Sequence, residues 1–149
     1  MKDKDFNGWN NEKKKIDSYK ENKYPKERQI RYVVLWINVW YETDWKSFYR
    51  RPVLVLKRLW KVLFCVPLTT KRKQKIIQYE LKSVCFKNII GSFVMLTQTR
   101  VLDTKRFIHY TWKMISQQEF QSIKKLLIQV YFWEASLSSN NLEEDPKVC

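Results

Sequence analysis

Two apolar runs separated by a short charged stretch dominate the hydrophobic pattern of the chain, PVLVL at 52–56 and VLFCV at 62–66. Their β-branched and aromatic residues, with Pro52 and Pro67 at the outer ends, are typical of strands. Three cations interrupt the stretch, so it is not the nearly uncharged segment of about 20 residues that crosses a bilayer. The pattern predicts an antiparallel hairpin.

The open end of this hairpin carries a polar group of side chains. With the turn centred just before Trp60, the register places Arg50 opposite Thr69 and Arg51 opposite Leu68. Directly opposed residues have Cβ atoms roughly 5 Å apart, so a guanidinium and a hydroxyl stay close even if the register slips by one residue. We interpret the hairpin as an apolar stem with a small polar site.

The apolar period changes to that of a helix near the amino terminus. Phe6, Trp9 and Ile16 recur at helical spacing, and Tyr19 extends the stripe. This spacing predicts an amphipathic helix over residues 3–21, followed by a loop at a proline.

A second helix is predicted near the carboxyl end. Ser116 and Glu119 form an S-x-x-E capping box, with Ile115 and Phe120 as its hydrophobic staple. The helix is expected over 117–132, and its buried residues are expected to be Phe120, Ile123, Leu127 and Val130.

The remaining apolar segments are short and predict further strands. They are IRYVVLWINVWY from Ile30, KIIQYEL at 75–81, a piece near Cys85, and GSFVMLTQTRVL at 91–102. Short strands at close spacing with one closing helix suggest a mainly β (α+β) fold, a small, strongly bent antiparallel barrel. The organisation is then an N-terminal helix and linker over 1–28, a barrel domain with its helix over 29–134, and a disordered tail over 135–149.

Charge is concentrated in the middle of the 149-residue chain, whose length suits a single core. Residues 29–134 hold nineteen Lys and Arg and six Asp and Glu, a net charge of +13. Such a field favours an anionic partner, of which nucleic acid is the commonest. The alternative is that these charges only keep an aromatic-rich surface soluble.

The residues that hold metals or form disulfides are sparse. Cys65, Cys85 and Cys149 show no C-x-x-C spacing, and His109 is the single histidine. We therefore expect neither a zinc site nor a disulfide framework, and no cofactor. The first residues lack the apolar core of a signal peptide, so the expected compartment is the cytoplasm.

Four blocks follow one another in the order and spacing of a known family. They are RPVLVL at 51–56, VPLTT at 66–70, SFVMLTQTRVLDTKRF at 92–107 and ISQQEFQSIKKLL at 115–127. Over roughly residues 30–130 the chain resembles the MazF/PemK toxins, or mRNA interferases, of type II toxin-antitoxin systems. The resemblance implies a dimeric, SH3-like β-barrel with helices, which cuts single-stranded RNA without a metal and is inhibited by a cognate antitoxin.

The resemblance also assigns roles to residues. Arg51 and Thr69 would act at the scissile phosphate, and Glu42 would accept the proton of the ribose 2′-OH. The expected product is a 2′,3′-cyclic phosphate with a free 5′-OH. Arg51 has a simpler interpretation as the ion-pair partner of Glu42 or Asp44, and Thr69 is also a natural strand residue.

Further residues are candidates for RNA binding. Gln98 and Arg100 match a Q-x-R of the family, where they would shape either the core or the RNA groove. The KRKQK segment at 71–75 is either a solvated loop or a contact for backbone phosphates. The predicted RNA-binding residues are Arg50, Thr70, Lys71, Gln98 and Arg100.

Tryptophan stands where the resembled family carries glycine, at Trp36, Trp40, Trp45 and Trp112. The chain has two Gly and seven Trp, whereas average usage would give roughly ten Gly. Trp does not enter tight turns with positive φ cheaply. Our hypothesis is that most of these Trp are artefacts of translating UGA codons that the cell reads as glycine, and UGG codons at the four positions would contradict it.

Three functions are therefore compared. The first is a metal-independent endoribonuclease toxin, whose activity is in doubt if the four Trp are genuine. The second is a catalytically inactive RNA-binding or antitoxin-binding barrel of the same fold. The third is a structural protein without a nucleic-acid role, which the concentrated positive charge makes the weakest of the three.

Overall fold

The structure is a computed structural model that describes residues 6–19, 24–35, 50–72, 77–82, 92–109 and 113–132. Its helices and strands are α1 (Phe6–Asp17), β1 (Ile30–Val34), β2 (Arg50–Leu59), β3 (Val62–Thr69), β4 (Gln78–Glu80), β5 (Phe93–Met95), β6 (Arg100–Asp103), β7 (Phe107–His109) and α2 (Gln117–Phe132). The predicted mainly β, α+β class with a helix at each end is confirmed.

The seven strands form one antiparallel sheet in the order β4-β5-β3-β2-β1-β7, with β6 paired to β3 beside β5. The same edge of β3 thus has two neighbours, because Leu68 and Thr69 pair with β5 while Val62–Cys65 pairs with β6. Among the described strands this sheet is not closed by backbone pairing. Closure into an SH3-like barrel stays a prediction.

The predicted hairpin between β2 and β3 is confirmed, but its predicted register is wrong by two residues beside the turn and by one residue at the open end. Leu59 pairs with Val62, so the turn is Trp60–Lys61. A β-bulge at Leu56 then shifts the register again between the turn and the open end. A bulge adds one unpaired residue to one strand and is not visible in the apolar pattern.

The segment predicted as one strand over 91–102 is two strands. A 3₁₀ turn, Leu96–Gln98, separates β5 from β6, and Leu96 is buried there. The break lets the chain pass from one half of β3 to the other. This is a tertiary requirement that the local β-propensity of the segment does not encode.

Both faces of the β2–β3 hairpin are covered, which explains its nearly continuous apolar sequence. The face toward α2 contributes to a cluster of Ile30, Leu54, Leu56, Val66, Leu68, Val94, Leu96, Ile115, Phe120, Ile123 and Leu127. The opposite face contributes to a cluster of Val33, Leu35, Val53, Val55, Leu63, Cys65, Leu102 and Phe107. Alternate residues of each strand therefore enter different cores.

Helix α2 spans the predicted residues and begins at the predicted cap, since the Glu119 N–H donates to Ser116 Oγ at 3.2 Å. Phe120, Ile123 and Leu127 are buried as predicted, whereas Val130 packs against the same cluster but is only half-buried.

The Glu119 carboxylate is itself buried and ties α2 to the end of β4. It accepts a hydrogen bond from the Lys82 N–H at 2.6 Å. Burial, together with the charge of Glu119 and a hydrogen bond to it, raises the pKa of Tyr79 in β4.

Helix α1 is shorter than its apolar stripe. Within the described residues it ends at Asp17, and Tyr19 is 49% exposed, so the predicted extension of the stripe to Tyr19 is wrong. Trp9 and Ile16 are buried against Val34 of β1. The strand predicted near Cys85, the tail, and Trp36, Trp40, Trp45 and Trp112 lie outside the described residues.

Trp60 has a backbone conformation that tryptophan rarely adopts. Its φ is 53°, whereas the φ of Lys61, in the second turn position, is not positive. Positive φ at the first of two turn residues is the signature of a type II′ turn, in which glycine is favoured. The indole is 82% exposed, so little side-chain burial offsets the backbone cost.

We expect Trp60→Gly to be more stable than Trp60→Ala by about 0.5–1 kcal/mol in free energy of unfolding. Alanine keeps the cost of the left-handed backbone, about 1–2 kcal/mol, whereas glycine removes it and adds a smaller entropy to the unfolded chain. Urea unfolding of both variants measures the difference. An alanine variant as stable as the glycine variant would contradict the turn assignment.

The Cys65 thiol should make stability fall in alkali. Burial raises its pKa from 9.0 to about 12, so between these pH values the unfolded thiol ionises and the folded one does not. The free energy of unfolding then falls by about 1.4 kcal/mol per pH unit through this group. Cys65→Ala lacks this contribution, so its stability deficit should shrink from pH 9 to pH 11. A deficit that stays constant over this range would show that the thiol does not titrate as described.

Candidate active site

Arg51 and Thr69 lie at the open end of the hairpin. The last pair before this end joins Val53 to Pro67, and β2 extends three residues and β3 two residues beyond it. Extended over these residues, the register sets Arg51 directly opposite Thr69. Directly opposed side chains share a face of the sheet, with Cβ atoms about 5 Å apart. Both residues are half-buried, so the register brings an arginine and a threonine side chain together at a partly accessible position.

The Thr69 hydroxyl is held by the chain that leaves β3. Its oxygen accepts a hydrogen bond from the Lys71 N–H at 3.2 Å, and the Lys71 carbonyl accepts one from Gln78 Nε2 at 3.3 Å. The Thr69 O–H proton remains able to donate outward. Thr70 and Lys71 are exposed beside it.

Arg50 and Arg51 do not share a face, because successive side chains of a strand alternate. Arg50 pairs with Val34 and is exposed, whereas Arg51 pairs with Val33 and is half-buried. The register therefore brings Arg51 to Thr69 and directs Arg50 to the other side of β2.

Arg100 lies on the same face as Arg51 and Thr69. It pairs with Cys65, which pairs with Val55, so these three residues form a row across β6, β3 and β2. The row is four residues, about 13 Å, along the strands from the Arg51–Thr69 pair.

Gln98 lies in the 3₁₀ turn just before β6. Its side-chain Oε1 is buried and, within the described part of the chain, has no hydrogen-bond partner. An acceptor in this state costs about 1–3 kcal/mol, which a donor from a bound molecule would recover.

Arg31 is a third arginine on this face that sequence reasoning did not select. It pairs with Val53 and is 5% exposed, and its Nε and Nη2 donate to Gln29 Oε1 at 3.1 and 3.0 Å. Arg31 is thus a diagonal neighbour of Arg51. The available signal was a charge between apolar residues of the first strand, IRYVV, where a buried cation requires partners.

Cys65 does not supply a nucleophile to this face. The residue is fully buried and its pKa is raised to about 12, whereas the reactive form of cysteine is an accessible thiolate. Glu42, the expected proton acceptor, lies outside the described residues. In the ranges that the structure describes, no group of three His, Cys, Asp or Glu comes together as a metal site.

No curated protein matches the chain. Within the described residues, no helix is long and apolar enough to span a membrane. The family model of the PemK-like, MazF-like toxins of type II toxin-antitoxin systems matches residues 30–131. This span runs from the first residue of β1 almost to the end of α2 and leaves out α1. The chain belongs to the PemK-like, MazF-like toxin family.

Proposed function

We propose that this toxin is a metal-independent endoribonuclease that cleaves single-stranded RNA. It acts in the cytoplasm as a homodimer, and a cognate antitoxin holds it inactive. The observation that supports the activity best is the register that sets Arg51 against Thr69 on one face of the hairpin. Family membership supports the dimer and the antitoxin.

Arg51 is proposed to bind the scissile phosphate. A guanidinium presents a planar fork of N–H donors that contacts two phosphate oxygens at once. Negative charge grows on these oxygens as the 2′-oxygen attacks, so the fork stabilises the transition state more than the bound substrate. The half-buried position of Arg51 strengthens this attraction, because less water screens it.

Thr69 and Glu42 are proposed to handle the oxygens and the proton. The Thr69 O–H donates to a phosphate oxygen or positions the 2′-OH, while its own oxygen is held by Lys71. Glu42 takes the 2′-OH proton, the 2′-oxygen–phosphorus bond forms, and the 5′-oxygen–phosphorus bond breaks. The leaving 5′-oxygen gains a proton from Arg51 or water, which gives a 2′,3′-cyclic phosphate and a 5′-OH.

The surrounding charges are proposed to hold the rest of the RNA. Arg31 and Arg100 share the face of Arg51 and raise its positive potential. Exposed Thr70 and Lys71, together with Gln98 near Arg100, supply polar contacts, and Arg50 contacts RNA from the other side of β2. Phosphate contacts of this kind position a strand and make its binding dependent on salt.

A second candidate is a catalytically inactive RNA-binding or antitoxin-binding protein of the same fold. It would use the same basic face without chemistry. The Arg51–Thr69 pair favours the enzyme, because binding alone does not need a hydroxyl fixed opposite an arginine.

We expect purified protein to cleave single-stranded RNA in EDTA and Arg51→Ala to lower kcat by at least about 10²–10³-fold, the cost of losing a transition-state donor. Arg51→Lys keeps the charge but not the fork, so it should recover only part of the rate. Thr69→Val should lose more activity than Thr69→Ser. Denaturing gels measure the rates, and mass spectrometry identifies a 3′ end lighter by one water than a linear phosphate.

The matched control is Arg58→Ala, which removes the same charge from β2 about 24 Å along the strand from Arg51. Arg58 is exposed and lies over the Tyr24 ring, so cleavage should be unchanged. Binding without cleavage by the wild type would favour the inactive binding protein. An equal loss of cleavage rate in Arg58→Ala and Arg51→Ala would contradict the proposed role of Arg51.

A further inference from the structure

Helix α1, which lies outside the family match, is fastened to the sheet by both apolar and polar contacts. Trp9 and Ile16 are buried against Val34, with Ile108 of β7 packed beside them. Lys105 donates from Nζ to the Asp17 carbonyl oxygen at 2.9 Å. The helix is therefore part of the folded surface rather than a detached extension.

Arg106 joins α1 to the strand that leads toward the active site. Its guanidinium lies over the Trp9 ring, 5.6 Å from the centroid, and its Nη1 donates to the Val34 carbonyl oxygen at 3.4 Å. Val34 pairs with Arg50, and the preceding residue of β1 pairs with Arg51. Since directly opposed residues share a face, α1 packs on the side of the sheet that carries Arg50, opposite to the side of Arg51.

The docked helix creates an open cleft of about 250 Å³ between α1 and the turn that joins β6 to β7. Its lining residues are Lys13, Ile16, Asp17, Asp103, Lys105 and Arg106. Three are cations and two are carboxylates. Such a volume admits a phosphate with part of its sugar.

The two carboxylates already have partners in the protein. Asp17 Oδ1 lies 3.5 Å from Lys105 Nζ, and Asp103 Oδ1 accepts from the Lys105 N–H at 2.8 Å. Arg106 is held by Trp9 and Val34. Lys13 is exposed and its Nζ lies 5.5 Å from the Trp9 centroid, so it is the cation best able to turn toward an incoming anion.

We propose that this cleft binds the phosphate backbone of the RNA strand next to the cleaved phosphate, with Lys13 as the principal contact. The inference rests on the proposed function and extends its substrate site onto α1. The basis is the position of Arg50, which shares the α1 side of the sheet with Val34 and directly precedes Arg51 at the start of β2. An RNA strand that turns from Arg51 round the start of β2 to Arg50 is directed toward the side of the sheet on which α1 lies.

The test compares Lys13→Gln with Lys15→Gln, which removes the same charge from the outer face of the same helix. Lys15 is exposed, pairs with Glu12 at 3.5 Å, and does not line the cleft. The probes are single-stranded DNA oligonucleotides of about 4 and about 16 nucleotides, spanning common site sizes. They lack the 2′-OH and so are not cleaved.

For the longer probe, we expect Lys13→Gln to weaken binding about 3-fold and to reduce the slope of log K against log salt by about 0.7, the value for one phosphate contact to a single strand. Lys15→Gln should leave both unchanged, Lys13→Arg should restore them, and the shorter probe should not respond. Circular dichroism checks that α1 stays folded. Equal binding by the two glutamine variants would overturn the cleft.

The outcomes separate this inference from the proposed activity. If the wild type does not cleave RNA but the Lys13 and Lys15 variants still differ in oligonucleotide binding, the proposed activity is wrong and the binding role of the cleft is supported. If the wild type cleaves RNA and the two variants bind the oligonucleotide equally, the binding role of the cleft is wrong and the proposed activity is supported. If an acidic peptide binds in a Lys13-dependent way and the oligonucleotide does not, the cleft serves a protein partner and the RNA assignment is wrong.

A separate inference comes from the backbone of Trp60. It occupies the glycine position of a type II′ turn with φ of 53° and is 82% exposed. Trp9, in contrast, is 3% exposed and packs against Val34. Trp60 therefore has the backbone conformation and exposure typical of a glycine position, whereas Trp9 has the burial typical of a tryptophan position.

We infer that position 60 is glycine in the protein made by its own cell, encoded by UGA and read as tryptophan only on conceptual translation. The turn conformation supports this independently of any family comparison. The expected result is a UGA codon at position 60 and UGG at position 9, with the peptide from native protein lighter by the difference between tryptophan and glycine. A UGG codon at position 60 would overturn the inference.

Discussion

The antiparallel pairing of β2 with β3 is the constraint on which the rest of the molecule depends. Its two faces belong to two different cores, so a slip of one residue would exchange the contents of both. The same register that fills the cores sets Arg51 against Thr69. Stability and site geometry are therefore fixed by the same backbone hydrogen bonds, and mutations that loosen either core should also disturb the polar end.

Positive charge on the site face is unusually close to apolar packing. Arg31 is almost completely buried beside Val53, while Arg51 and Arg100 are half-buried on the same face. Charges in such a position interact strongly with an anion, since the surrounding protein screens them less than water does. An anion that settles there provides a counter-charge, so ligand binding and folding stability are coupled.

Most of the fold could be predicted from apolar periodicity. The hairpin and α2 have long, regular patterns with clear end signals, and both are confirmed. The register could not be predicted, because neither Trp60 in a turn nor the bulge at Leu56 has a sequence signature. The break at Leu96–Gln98 follows from β3 having two neighbours, which is a property of the sheet.

The candidate site could be predicted only in part from the sequence, for the same reason. Arg51 and Thr69 stand at the ends of recognisable strands, so their proximity follows from the hairpin alone. Arg31 joins them only through pairing with a strand that is distant in sequence. In the sequence, Arg31 interrupts an apolar strand pattern, and nothing local marks it as a functional residue.

The attachment of α1 has a consequence for the order of assembly. The helix precedes the sheet in the chain, but Lys105, Arg106 and Ile108, which hold it, belong to the last strands of the sheet. It must wait for most of the chain before it can pack. Few of the described elements contact α1, and weakly attached elements open at a lower free-energy cost than the core, so we expect α1 to open before the strands of the hairpin do.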